Sequence, residues 1–118
     1  MKGIRGATSV ERNEAGEISE KTVELMKEIF SKNSIGELHS VIFTVTHDVT
    51  SFNPATAFRK HFEFGDIALL CLNEASFDNS MSGIIRVLIH CESETKNFVY
   101  LHRARALRPD LFVGEFGK

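Results

Sequence analysis

The sequence predicts an α+β domain, a mixed β-sheet with helices on one face. Three observations carry this. A strand-like opening is followed by an amphipathic helix and a second strand, as in a βαβ unit, and two later strand-like runs follow each other across a polar loop with no helix between them. The 118 residues, 42% hydrophobic and 25% charged, suffice for one compact core and carry no excess of apolar mass. No repeat, linker or low-complexity tract interrupts them, so residues 1–118 read as a single domain.

Residues 2–10 are rich in β-branched and small side chains and read as a strand, in which Gly3 and Gly6 suggest close backbone approach. Within residues 17–32, Ile18, Val23, Leu25, Met26, Ile29 and Phe30 make a mostly one-sided apolar stripe. A helix follows, with Asn13 as start signal and residues 33–36 as its end. Residues 41–45 form a short β-branched run, a buried strand, before the polar loop 47–51. Pro54 fits the first turn of a short helix through Phe62. Residues 67–72 give a third strand, 75–82 a polar loop and 84–91 a fourth strand, whereas 98–107 fits either a strand or a helix. A sheet covered on one side leaves its other face for partners, so an oligomer is expected.

Composition excludes several classes. A net charge of −2 offers no general attraction to nucleic acid, and the one basic run, residues 103–108, has no interleaved aromatics for stacking. Cys71 and Cys91 both sit in apolar stretches, as buried thiols do, and do not form a disulfide framework. No run approaches the length of a membrane span and the opening residues do not resemble a signal sequence, so a cytoplasmic protein is expected. The five histidines share no convincing helical face with a second ligand, which argues against a metal site. No nucleophile elbow, dinucleotide fingerprint or phosphate loop is present, and no cofactor is expected.

What remains is arginine, glutamate and tyrosine. Arg86 interrupts an apolar strand and alternates onto the face of Ile84, Leu88 and His90, where a guanidinium needs either solvent or a counter-charge. Arg5, between Ile4 and Gly6, poses the same question on another strand. Two such arginines favour an anion site over a merely solvated face. Glu74 ends the third strand, opposite Cys71 in the alternation unless the strand has already ended, and serves either such a site or a salt bridge to Arg86. Tyr100, the only tyrosine, is either a core or interface ring or part of the same site.

Five stretches then resemble one family, in order and over nearly the whole chain: residues 2–11 around Arg5, 42–48, 71–74 from Cys71 to Glu74, 85–87 around Arg86, and 99–111 from Val99-Tyr100 to Arg108-Pro109-Asp110. They are similar to the monofunctional AroH-class chorismate mutases. That resemblance implies a trimeric pseudo-α/β barrel with sites between subunits and no cofactor. It implies the Claisen rearrangement of chorismate to prephenate in phenylalanine and tyrosine biosynthesis, a reaction that needs no acid, base or nucleophile. It further implies that Arg86 contacts the ether oxygen and side-chain carboxylate, that Arg5 and Tyr100 hold that carboxylate, and that Glu74 and Cys71 bond the ring hydroxyl beside the Leu70 backbone. Arg59, Leu107 and Arg108 would close the site. Two positions depart from the family: Asn53 and Thr56 stand where it usually has Phe and Lys, with Phe52 as a substitute aromatic, and the loop 93–97 looks short. Two other readings compete, a trimeric deaminase of the RidA type and a non-catalytic module that binds small dianions.

Overall fold

Alternating burial defines the sheet. In β4 (Ile84–Ser93), Ile85, Val87, Ile89 and Cys91 are buried while Arg86, Leu88 and His90 are partly exposed, the period of two that pleating dictates. This computed structural model describes residues 1–112; residues 113–118, the end of the tail after Asp110, lie outside the described residues. β4 pairs antiparallel with β1 (Lys2–Ser9) on one side and with β2 (Ile35–Val45) on the other. β3 (Ala68–Asn73) runs parallel to β2, and the two-residue β5 (Val99–Tyr100) parallel to β1, so the order is β3-β2-β4-β1-β5. Helices α1 (Ala15–Lys32) and α2 (Pro54–His61) cover one face. The predicted mixed sheet with one-sided helices is what the chain forms.

The helix-covered face holds the main core. Ile4, Val41, Phe43, Ile85 and Ile89 meet Ile18, Leu25, Met26 and Ile29 of α1 and Phe58 of α2, all essentially inaccessible to water. Each such side chain contributes about 1.5–3 kcal/mol by burial. The other face is half covered: at one end Ala7, Ile84, Tyr100 and Ala104 pack with Met81, Phe98 and Leu107, beneath a 3-10 turn at His102–Leu107. At the other end Leu70 and Leu72 stay 51% and 48% exposed.

Several elements differ from expectation. β1 and β2 are not neighbours, because β4 inserts between them antiparallel to both; the adjacent βαβ unit is β2-α2-β3. β2 starts at Ile35, several residues early, since β4 is long enough to pair with it across two register shifts. Asn13 does not cap α1. Glu14 holds that position without a side-chain cap, while the Asn13 side-chain oxygen Oδ1 accepts the N–H groups of Thr50 and Ser51, each at 2.9 Å, tying two loops together. The segment 98–107 is both things in turn: β5, then a 3-10 turn entered through His102 in the left-handed region (φ 54°). The short loop before it is clamped by Asn33, whose side chain accepts from Asn97 N–H (2.7 Å) and the Thr95 hydroxyl (2.9 Å). Of the two glycines expected to permit close approach, only Gly6 does so. A Cβ there would lie 2.8 Å from the Val99 carbonyl oxygen, whereas one at Gly3 would meet nothing nearer than 3.8 Å.

Asp48 joins the loop after β2 to the start of β4, both carboxylate oxygens accepting the Gly83 N–H at 2.9 and 3.2 Å. Burial alone would raise its carboxyl, but the Thr46 hydroxyl and the Gly83 N–H outweigh that and hold it below the usual carboxylate range. The contact therefore stabilises the fold above the unfolded-state pKa, about 4, and is lost as pH falls through the depressed folded value. Asp48→Asn keeps an acceptor for the Gly83 N–H but loses the charge, and for a group this open to solvent that should lower stability by at most about 1 kcal/mol near neutrality. The gap to wild type should narrow below roughly pH 4; denaturant melts across pH measure it.

Candidate active site

The face opposite the helices carries the site. Pairing sets five residues in one row across the sheet: Leu72 opposite Thr44, Thr44 opposite Arg86, Arg86 opposite Ala7, and Ala7 beside Tyr100. Directly paired residues share a face, so Arg86, Thr44 and Tyr100 point the same way. Arg86 Nε donates to Glu74 Oε1 at 2.7 Å, and the Thr44 hydroxyl donates to that same oxygen at 3.0 Å. Glu74 is brought there because its own N–H still bonds the Val45 carbonyl (2.9 Å), carrying the β2-β3 ladder one residue beyond β3. The salt bridge and the anion site are thus compatible. Nε is held by Glu74, while the side chain stays 43% exposed and borders a cavity of about 560 Å³ with Glu74, Phe77, Met81 and Leu107.

Arg5 lies in the next row, opposite Leu88, on the same face. Its guanidinium sits 5.1 Å from the centre of the Phe98 ring, and Arg108 sits 5.7 Å from that ring and 5.9 Å from the ring of Tyr100. Such stacking leaves the edges of both guanidinium groups for planar anions. Arg108 already grips one, donating from Nε and Nη2 to the two oxygens of Asp110 at 3.0 and 2.8 Å. That hydrogen bond holds the Asp110 carboxyl below the usual carboxylate range and raises Arg108 further above its ordinary value. Tyr100 is buried against Ala7 and Ala104, its ring fixed in the second core cluster with Leu107.

Arg5, Glu74, Arg86, Tyr100, Leu107 and Arg108 therefore share one face and one end of the sheet. Arg59, Leu70 and Cys71 do not join them within one chain. Cys71 pairs with Phe43 and packs toward the helix-side core, where burial pushes its thiol up. Leu70 faces the open side, but it is on edge strand β3, three strands from Arg5, roughly 14 Å at ordinary strand spacing. Arg59 is exposed on α2, beside a separate cavity lined by Phe62, Phe64 and Leu69. Asn53 has a structural role, its side chain accepting the Ala55 N–H at 2.9 Å to cap α2 ahead of Pro54. Asn53→Ala should cost about 1 kcal/mol, read as a lowered melting temperature. Phe52 and Asn53 line one cavity of about 270 Å³ with Cys71 and Leu72. Thr44 joins the row of Arg86 as well, although in the sequence it shows only as a hydroxyl at an alternate position of an apolar strand.

The sequence pattern of the family Chorismate mutase type I matches residues 1–111. The chain belongs to that family. It is 39% identical over 118 residues to the chorismate mutase AroH of Thermus thermophilus, covering 94% of this chain and 96% of that one. It is 30% identical over 117 residues to the chorismate mutase AroH of Bacillus subtilis (strain 168), covering 94% and 92%. The solved structure of a chorismate mutase from Clostridium thermocellum superposes with a TM-score of 0.83 at 37% identity, over 90% of this chain and 99% of that one. The enzyme is a chorismate mutase, an isomerase that turns chorismate into prephenate by a Claisen rearrangement. One ether C–O bond breaks as one C–C bond forms within the molecule, and no proton is transferred. A chorismate mutase thus needs a shaped cavity and a fixed cation, which is the kind of group this sheet face supplies.

Proposed function

We propose that chorismate binds on the open sheet face, with Arg86 as the cation at the breaking ether bond. The observation that carries this reading is the Arg86–Glu74 pair: Nε is held at 2.7 Å, and among the described residues the two terminal amino groups of the guanidinium have no protein acceptor. A cation fixed before the reaction stabilises charge developing on the ether oxygen without having to reorganise. Arg5 and Tyr100 hold the side-chain carboxylate and Arg108 closes over it, giving up Asp110 for the substrate, while Glu74 accepts from the ring hydroxyl. Holding the enolpyruvyl chain folded over the ring removes much of the entropic barrier.

The active assembly in this reading is a homotrimer. The half-exposed Leu70 and Leu72 give the open face an apolar surface to bury. The division of the residues supports it too: Arg59, Leu70 and Cys71 on the β3 side of one subunit would complete the arginine cluster of the next. No helix among the described residues is long and apolar enough to cross a membrane. We place the enzyme in the cytoplasm, an address that suits its two free thiols, Cys71 and Cys91.

Purified enzyme mixed with chorismate should speed the loss of its ultraviolet absorbance well beyond buffer, and the mass in solution should be about three times 13.3 kDa. No acceleration at high enzyme concentration would sink the catalytic reading. Tight binding without turnover would favour the dianion-binding alternative.

A further inference from the structure

We propose that Thr44 is a positioning residue for the rearrangement, acting through Glu74; the inference rests on the roles given above to Glu74 and Arg86. Thr44 stands between Leu72 and Arg86 in the central row, flanked in β2 by Phe43 and Val45, which turn to the opposite, buried face. A threonine hydroxyl has a single proton to give. Here it goes to Glu74 Oε1 at 3.0 Å, the oxygen that also receives Arg86 Nε at 2.7 Å.

Two donors on one oxygen have a directional consequence. Glu74 lies just past the end of β3, held in the ladder by one backbone bond to Val45 and followed by the loop 75–82, so its backbone alone does not set its rotamer. The Thr44 hydroxyl and Arg86 together pin Oε1. That leaves the other oxygen, Oε2, clear of these two donors to accept from a substrate hydroxyl in the cavity that Glu74 and Arg86 both line, and it holds Arg86 by Nε, leaving its terminal amino groups for the substrate. Without the hydroxyl, Glu74 keeps only its bond to Arg86, and the two side chains can swing as a unit away from the productive geometry, where small displacements weigh heavily on rate.

The test compares Thr44→Val, which keeps shape and removes the hydroxyl, with Thr44→Ser, which keeps the hydroxyl, in both wild-type and Glu74→Ala enzyme. Melting curves check that each variant folds, and Thr44→Ala replaces the valine variant should that one not fold. Expected is a fall of about tenfold in kcat/KM for Thr44→Val, roughly 1.4 kcal/mol, borne mainly by kcat. Thr44→Ser should stay within about twofold of wild type, and Thr44→Val should add nothing once Glu74 is alanine, because coupled residues are not additive. Near-normal turnover in Thr44→Val, equal damage from serine and valine, or an undiminished valine effect in the Glu74→Ala background would each overturn the proposal. Normal turnover in Glu74→Ala alone would instead remove the reading of the site on which it rests.

Discussion

Arg86→Ala is expected to lower kcat by about 10²–10³, the range for removing one preorganised donor from a developing oxyanion. The substitution takes away the only guanidinium that the sheet holds in its central row, opposite Ala7 and Thr44. Neither Arg5 nor Arg108 can replace it, since both are stacked at the β5 edge around Phe98. Stability should change little, because a pair whose arginine is 43% exposed is partly screened and contributes at most about 1 kcal/mol. Turnover at saturating chorismate, read beside a melting curve, separates the two effects. Arg86→Lys should be nearly as damaging. A lysine offers one ammonium, whereas the arginine fork bonds Glu74 through Nε and still presents two amino groups forward. An alanine variant within about tenfold of wild type would show that the cation is elsewhere.

Gly6→Ala is expected to destabilise the fold strongly. An added Cβ would stand 2.8 Å from the Val99 carbonyl oxygen, 2.9 Å from Ile29 Cδ1 and 3.2 Å from Leu25 Cδ1, squeezed between β5 and α1. The nearest obstacle is backbone and cannot rotate away. Overpacking a tight site typically costs about 1–3 kcal/mol, and this one belongs at the upper end. The relief open to the chain is for β5 to move outward, and β5 carries Tyr100, so KM for chorismate should rise along with the loss of stability. Gly3→Ala is the control on the same strand: its Cβ would meet only side-chain atoms at 3.8 and 3.9 Å, and stability should stay within about 0.5 kcal/mol of wild type. Equal melting temperatures for the two variants would refute the close-packing account.

Most of the helix-side core was legible before any coordinates. The stripe of Ile18, Leu25, Met26 and Ile29 and the alternation of Ile85, Val87 and Ile89 state their own periods, and both elements formed on the predicted residues. Local chemistry also anticipated Pro54 at the start of α2. The candidate arginines were visible for the same reason: a charge inside an apolar strand violates the local pattern and calls for an explanation, and both Arg5 and Arg86 lie on the face that alternation gives them.

Strand order, loop ties and the pairing of the charges belong to the tertiary structure. β4 enters between β1 and β2, and no local signal encodes that, because strand order is settled by which faces bury one another across long separations in sequence. Asn13 reads as a helix start, yet its amide is satisfied by the backbone of a loop 37 residues away. Glu74 could equally have ended a strand in solvent; one ladder bond beyond β3 turns it toward Arg86. Thr44 had no functional signature until the sheet set it opposite Arg86. The local sequence and its periodicity set which residues are apolar, which faces they form and which charges sit among them. The fold decided which of those charges meet, since contacts across the sheet depend on register and order that no segment specifies alone.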